Sequence, residues 1–245
     1  MDAINLFNGH INQKQFNRKI QEDYNDQTAK TYRQNDERDI CTPASLQVIS
    51  RLQSLSAQFS HKINALDVGC GTGRFFHALK NIRELTGLDI SSSMLNAARQ
   101  PIHAEKLDIE MIRLIWANYS ASNLTQNHFD LIYSIGVYGH PAPITVEVIN
   151  QFHQNLAAGG KLMFTIANRD DEKYNPLLYK SPKRKMIEAI QPMLPKSVND
   201  YLTNRWQNYF ISQDQVLALF QESQFKNYHV WPMINRFICC EASKA

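Results

Sequence analysis

Cysteine is scarce, with only Cys41, Cys70, Cys239 and Cys240 in a chain of 245 residues. None of them forms a Cys-x-x-Cys pair, and no histidine or cysteine spacing resembles a metal site. Cys239 and Cys240 are adjacent, and adjacent residues on a strand face opposite sides, so the two would not act together. Neither a disulfide framework nor a metal centre is expected, and the thiols read as reduced, in a cytoplasmic setting. Long apolar runs are missing too. No stretch approaches the roughly 18 apolar residues of a membrane span. The opening MDAINLFNGHINQKQFNRKI places no apolar run between a basic start and a cleavage site, so no signal peptide is expected. Charge of one sign is in small excess only: the formal net charge is +3, too little to argue by itself for nucleic acid or membrane. Internal repeats and low-complexity segments are also lacking.

What is present is an ordinary globular composition, 43% hydrophobic and 10% aromatic, long enough for one large α/β domain with or without an inserted cap. The first forty residues are polar with scattered aromatics and read as helix and loop lying over something else. Thr42-Pro43 is a helix start, a capping hydroxyl followed by proline at the first helical position. Residues 65–68 read as a short apolar strand running into Gly69-Cys70-Gly71-Thr72-Gly73. Phe75, Phe76, Leu79 and Ile82 then suggest a helix by their spacing. Further strands are expected at 85–90, 110–116, 129–134 and 161–167. A helix capped by Ser91 and another over 144–156, stopped by Gly159-Gly160, separate them. Ser212 caps a later helix, and two closing strands fall near 225–231 and 235–242. Strands alternating with helices argue for a parallel sheet covered on both faces. Residues 169–210, rich in proline, lysine and aromatics, break the rhythm and read as an insertion.

The glycine loop carries the chemistry. Glycines directly after a strand permit a tight turn with positive φ and let a ligand approach the backbone, and the helix expected next would offer unpaired N–H groups. Asp89, ending the following strand, stands where a carboxylate can accept both ribose hydroxyls of a nucleoside. These features alone would also fit a dehydrogenase. Two details separate the readings. Dinucleotide binding wants a third glycine where this chain has Arg74. Asp67, a carboxylate just before the loop, would oppose a pyrophosphate but suits an ammonium group.

DVGCGTG at 67–73, LDIS at 88–91 with Met94 and Leu95, FDLIYSIGVYGH at 129–140 and LAAGGKLMF at 156–164, in that order, resemble the class I S-adenosylmethionine (SAM) dependent methyltransferases over residues 65–165. The resemblance implies a Rossmann-like, doubly wound, seven-stranded sheet, mostly parallel with an antiparallel last strand. It implies a SAM-binding core over 61–168 completed by 211–245, an N-terminal helical lid over 1–60, and an inserted helical cap over 169–210. SAM would be the cofactor and S-adenosylhomocysteine the product. Asp67 and the loop residues Gly69, Cys70, Gly71 and Gly73 would hold the methionine part. Asp89 would bind the ribose, with Ile90 against the adenine and Asn118 and Tyr119 beside it. Asn118 sits where the family often has an acidic residue. Ser134 and Ile135 would stand beside the donor methyl. Tyr24-Asn25-Asp26-Gln27-Thr28-Ala29-Lys30-Thr31-Tyr32 resembles the YDxxAxxYD stretch that forms a lid over SAM in small-molecule members, so Tyr24 and Tyr32 would face the sulfonium; a surface helix with aromatic anchors is the other reading.

Methyl transfer from an already activated sulfonium needs alignment and exclusion of water more than a particular triad. His140, just beyond the fourth strand, is either a general base or a residue that positions a loop. Trp206 and Tyr209, next to the return to the sheet, and Tyr138 are candidates for the acceptor pocket. The basic run over 173–185 is either an attraction for an acidic partner or a solvated face. A small-molecule acceptor is favoured. An acceptor in nucleic acid is not, because Ser134-Ile135-Gly136-Val137 stands where base-amine enzymes carry Asn/Asp-Pro-Pro-aromatic. A protein acceptor and a non-catalytic SAM-binding module are the alternatives. Oligomeric state is not legible in the sequence.

Overall fold

The computed structural model describes residues 13–139, 142–170, 210–234 and 237–245, together with Met193. Three helices come first: α1 (Gln13–Asp23), α2 (Asp26–Asp39) and α3 (Pro43–Ser56). Thr42 caps α3 by accepting the Ser45 N–H, with Pro43 at the start of the helix, as its sequence predicts. The sheet strands are β1 (Ile63–Val68), β2 (Ile82–Asp89), β3 (Ile109–Trp116), β4 (Phe129–Tyr138), β5 (Leu156–Ala167), β6 (Asn227–Pro232) and β7 (Phe237–Ser243). Between them lie α4 (Ser92–Ala98), α5 (Val146–Asn155) and α6 (Gln213–Glu222).

The strand order is β3-β2-β1-β4-β5-β7-β6. β1 pairs in parallel with β2 and β4, β2 with β3, and β4 with β5, whereas β7 runs antiparallel to both β5 and β6. This is the seven-stranded Rossmann-like arrangement expected, with β7 the antiparallel strand. All six residues of β1 are buried, as befits the centre of a parallel sheet covered on both faces. Side-chain alternation sorts the core into two layers. Leu66, Ile132, Phe164 and Cys240 pack with α5 and α6 on one face. Ala65, Leu131, Met163 and Cys239 pack with α3 and α4 on the other. The adjacent thiols of β7 thus point to opposite sides, and all four cysteines are free.

Two expected elements differ. The helix after the glycine loop is a single 3-10 turn, Phe76–Ala78, because Leu79 is already extended (ψ 151°) and Ile82 opens β2. The left-handed Asn81 (φ 60°) then turns the chain straight into the strand. Gly159-Gly160 do not stop α5, which ends at Asn155. Leu156 turns extended and pairs with Phe129, and the two glycines lie inside β5. The end of α5 is held instead by the Lys244 ammonium, which donates to the His153 and Leu156 carbonyls at 2.8 Å each. β4 also runs four residues past its expected end. Its register shifts between Ser134 and Tyr138, where Gly136 (φ +75°) forms a bulge whose N–H donates to the Thr165 hydroxyl at 2.9 Å.

Candidate active site

Strand order reverses between β1 and β4, and crevices at such a point, beyond the carboxyl ends of the strands, are where α/β sheets take ligands. A cavity of about 550 Å³ opens there, within the range of small-molecule sites. The glycine loop, the ends of β2, β3 and β4, the start of α5 and the two N-terminal helices all contribute to its wall.

The loop is tied to β2. Gly69 and Cys70 donate to the Leu88 carbonyl at 2.7 and 3.0 Å. Asp89 Oδ2 accepts the Gly71 N–H at 2.8 Å, and its Oδ1 accepts the Ser91 N–H at 2.8 Å. Each oxygen keeps a lone pair for a ligand hydroxyl. Gly69, Gly71 and Gly73 all have positive φ. A Cβ at Gly69 would collide with Val137 of the β4 bulge, whereas one at Gly71 would meet open space: the loop turns its bare backbone to the cavity at Gly71.

Asp67, next to the end of β1, has 4% of its surface exposed. Burial is the main cause that pushes its carboxyl up to about 8, the nearby Asp89 adds to the rise, and the Tyr133 hydroxyl partly offsets it. Asp89 is raised as well by burial, against the backbone N–H groups of Ser91, Gly71 and Ile90 that favour its charged form. Two buried carboxylates in one cavity repel each other and fit a cationic ligand that neutralises them. The missing α-helix after the loop fits the same picture, since the usual phosphate-binding helix N-terminus is absent from this stretch of described residues.

Of the residues expected to hold SAM, Asp67, Gly69, Cys70, Gly71, Asp89, Ile90, Asn118, Tyr119, Ile135, Tyr24 and Tyr32 line the cavity together, and so does Tyr138. Two do not. Ser134 is fully buried, and its hydroxyl donates to the Val68 carbonyl at 2.7 Å, so it ties β4 to β1. Gly73 lies off the wall; its φ of +75° and the Phe76 ring 2.7 Å from where a Cβ would sit make it a turn and packing residue. Asn118 also differs in detail. Its Oδ1 accepts the Ser120 N–H at 3.0 Å and its amide donates to Asn17 of α1 at 2.7 Å. Tyr119 stacks on Phe152 and its hydroxyl bonds Asn155 at 3.0 Å. His140, Trp206, Tyr209 and the basic run over 173–185 lie outside the described residues.

Sequence reasoning missed Phe16 and Ile20 of α1 and Phe237 of β7, which also face the cavity. It also missed a polar cluster in which Asp36 of α2 accepts the Thr72 hydroxyl at 2.7 Å. The helix reads DQTAKTYRQNDERD, and nothing in so polar a string marks one carboxylate as buried.

Comparison with known proteins bears directly on this geometry. A family model described as a methyltransferase domain matches residues 59–224, more than half of the chain. The chain belongs to the methyltransferase domain family. The fold of this methyltransferase is shared with solved structures at low identity. A putative SAM-dependent methyltransferase from Methanococcus maripaludis superposes with a TM-score of 0.60 at 16% identity, covering 91% of this chain and 94% of that one. Phosphoethanolamine N-methyltransferase 2 from Haemonchus contortus, solved with SAM, gives 0.63 at 15% over 94% of this chain and 60% of its own. Magnesium protoporphyrin IX methyltransferase from Synechocystis, solved with S-adenosylhomocysteine, gives 0.59 at 12% over 94% and 100%. At these identities the likeness is one of fold. No curated protein sequence matches the chain. Among the described residues no helix is long and apolar enough to cross a membrane, and no group of three or more His, Cys, Asp or Glu side chains is placed to hold a metal ion.

Proposed function

We propose that this methyltransferase takes its methyl group from SAM and places it on a nitrogen or oxygen of a small molecule. The observation that carries the reading is the pair of buried carboxylates, Asp67 and Asp89, on either flank of a glycine loop whose Gly71 leaves bare backbone toward one shared cavity. Asp67 would neutralise the donor's ammonium, Asp89 would accept from its ribose hydroxyls, and Ile90 would pack on its adenine. SAM supplies a methyl group on a positively charged sulfur, already activated for in-line displacement. Tyr24 and Tyr32, with ring centroids 6.1 Å apart, would turn electron-rich faces to that charge.

A small acceptor is supported by the covering of the cavity. Phe16, Ile20, Tyr24 and Tyr32 bring α1 and α2 over it, which favours exclusion of water and supports a lid role for the N-terminal segment. Tyr138 and Ile135, at the β4 bulge, would face the acceptor. We assign residues 169–210, with Trp206 and Tyr209, to the acceptor side as a cap, and His140 to proton removal from a hydroxyl or ammonium nucleophile. The test is release of S-adenosylhomocysteine from SAM across a panel of amines, phenols, carboxylates and RNA. Turnover with a small amine or hydroxyl compound supports the reading; turnover with RNA alone overturns the small-molecule acceptor.

A further inference from the structure

The glycine loop is gripped from two sides. From the sheet, Asp89 accepts the Gly71 N–H. From the N-terminal helices, Asp36 Oδ2 accepts the Thr72 hydroxyl at 2.7 Å. Asp36 is 1% exposed and Thr72 4%. Two guanidinium groups flank the carboxylate, Arg33 Nη1 at 3.6 Å from Oδ2 and Arg74 Nε at 3.9 Å from Oδ1, and Arg74 also stands 3.8 Å from Asp39. Arg74 in turn lies over the Phe75 ring and lines the cavity. A carboxylate withdrawn from water is costly unless compensated; here Thr72 and Arg74 of the loop and Arg33 of α2 offset part of that cost, and Oδ1 has no hydrogen-bond partner among the described residues. The loop needs such an anchor. Thr72 lies between Gly71 and Gly73, both left-handed, and two glycines leave that stretch of backbone free to adopt other shapes. The Thr72 side chain is the fixed point between them.

We propose that Asp36 is a positioning residue for the methyl donor: through Thr72 and Arg74 it fixes the side of the glycine loop that the sheet does not hold, and with it the backbone that receives the donor's amino-acid end. The inference rests on the donor assignment above. The same contact couples loop and lid, because Tyr32, on the same helix α2, lines the cavity. A donor held by the loop therefore also fixes the helix that covers it.

The test is a double-mutant cycle read by calorimetric titration of S-adenosylhomocysteine at a temperature well below unfolding, with thermal unfolding of the ligand-free proteins alongside. Thr72→Val keeps the shape and removes the hydroxyl; Asp36→Ala removes the carboxylate. Each single change is expected to weaken binding about tenfold, the effect of losing one buried hydrogen bond to a charged group. The double variant should bind no more weakly than the worse single one, since both remove the same contact. Binding within twofold of wild type in the single variants, with only a lowered unfolding midpoint, overturns the proposal, as do effects that simply multiply. If Asp36→Ala fails to fold, Thr72→Val decides: about tenfold weaker binding supports the role and unchanged binding removes it. Wild-type protein that takes up no S-adenosylhomocysteine overturns the donor assignment instead.

Discussion

Burial holds a proton on Asp67 up to about pH 8 in the folded chain, far above the ordinary carboxyl value of about 4 that it regains on unfolding. Between those two values the native state binds a proton that the unfolded state has released, so stability falls as pH rises toward 8 and levels off above it. The groups that share its environment are Asp89, which also favours the proton, and the Tyr133 hydroxyl, which opposes it. The unfolding midpoint of the ligand-free protein should therefore drop between about pH 5 and pH 8 more steeply in wild type than in Asp67→Asn; equal slopes would contradict the shift. Binding reverses the preference. A donor ammonium beside Asp67 favours the carboxylate, so uptake at pH 7 should expel close to one proton. Calorimetric enthalpy would then vary with the ionisation enthalpy of the buffer, and that variation should vanish in Asp67→Asn. His140 supplies a second prediction at this scale. His140→Ala should lower turnover by about 10²- to 10⁴-fold, the range for general acid–base catalysis, with donor affinity nearly intact; unchanged turnover removes the residue from the mechanism.

The loop between β1 and the 3-10 turn works as an element because its glycines are not equivalent. Gly69 is left-handed and pressed against Val137, whereas Gly71 is left-handed in open space. Gly71→Ala should cost the backbone strain alone, about 1 kcal/mol or somewhat more. Gly69→Ala adds a collision with the β4 bulge and should cost a further 1–3 kcal/mol. Denaturant unfolding of the two variants checks the order. The strands, the capped helices α3, α4 and α6, Asp67 and Asp89 were legible because their signals are local: alternation, a capping hydroxyl, a carboxylate ending a strand. The helix expected after the loop was not, because Phe75, Phe76, Leu79 and Ile82 satisfy helical spacing while serving a 3-10 turn and a strand. Gly159-Gly160 misled in the same way, since what ends α5 is pairing of Leu156 with Phe129 and the reach of Lys244 from the far end of the chain. The Asp36–Thr72 contact joins residues 36 positions apart, and such pairing leaves no trace in either segment. Ser134 shows the converse: the family motif placed it at the site, and one hydrogen bond to Val68 turns it into the core.

At the scale of the whole molecule, a central β1 flanked by β2 and β4 delivers the ends of three strands to one crevice, and the N-terminal helices roof it. Asn118 bonds Asn17 of α1 at the β3 end, the Ser91 hydroxyl donates to the Tyr24 carbonyl at 2.6 Å at the β2 end, and Asp36 reaches the loop. Sheet and helices therefore meet around a single cavity that the carboxyl groups of Asp67 and Asp89 line. The measurement that bears most directly on this arrangement is equilibrium binding of S-adenosylhomocysteine to wild type, Asp67→Asn and Asp89→Asn at neutral pH. Saturable one-to-one binding to wild type, weakened about tenfold or more in each variant by loss of a charge-assisted contact, is the expected result. Variants that bind as tightly as wild type would contradict the assignment of both carboxylates to the methyl donor.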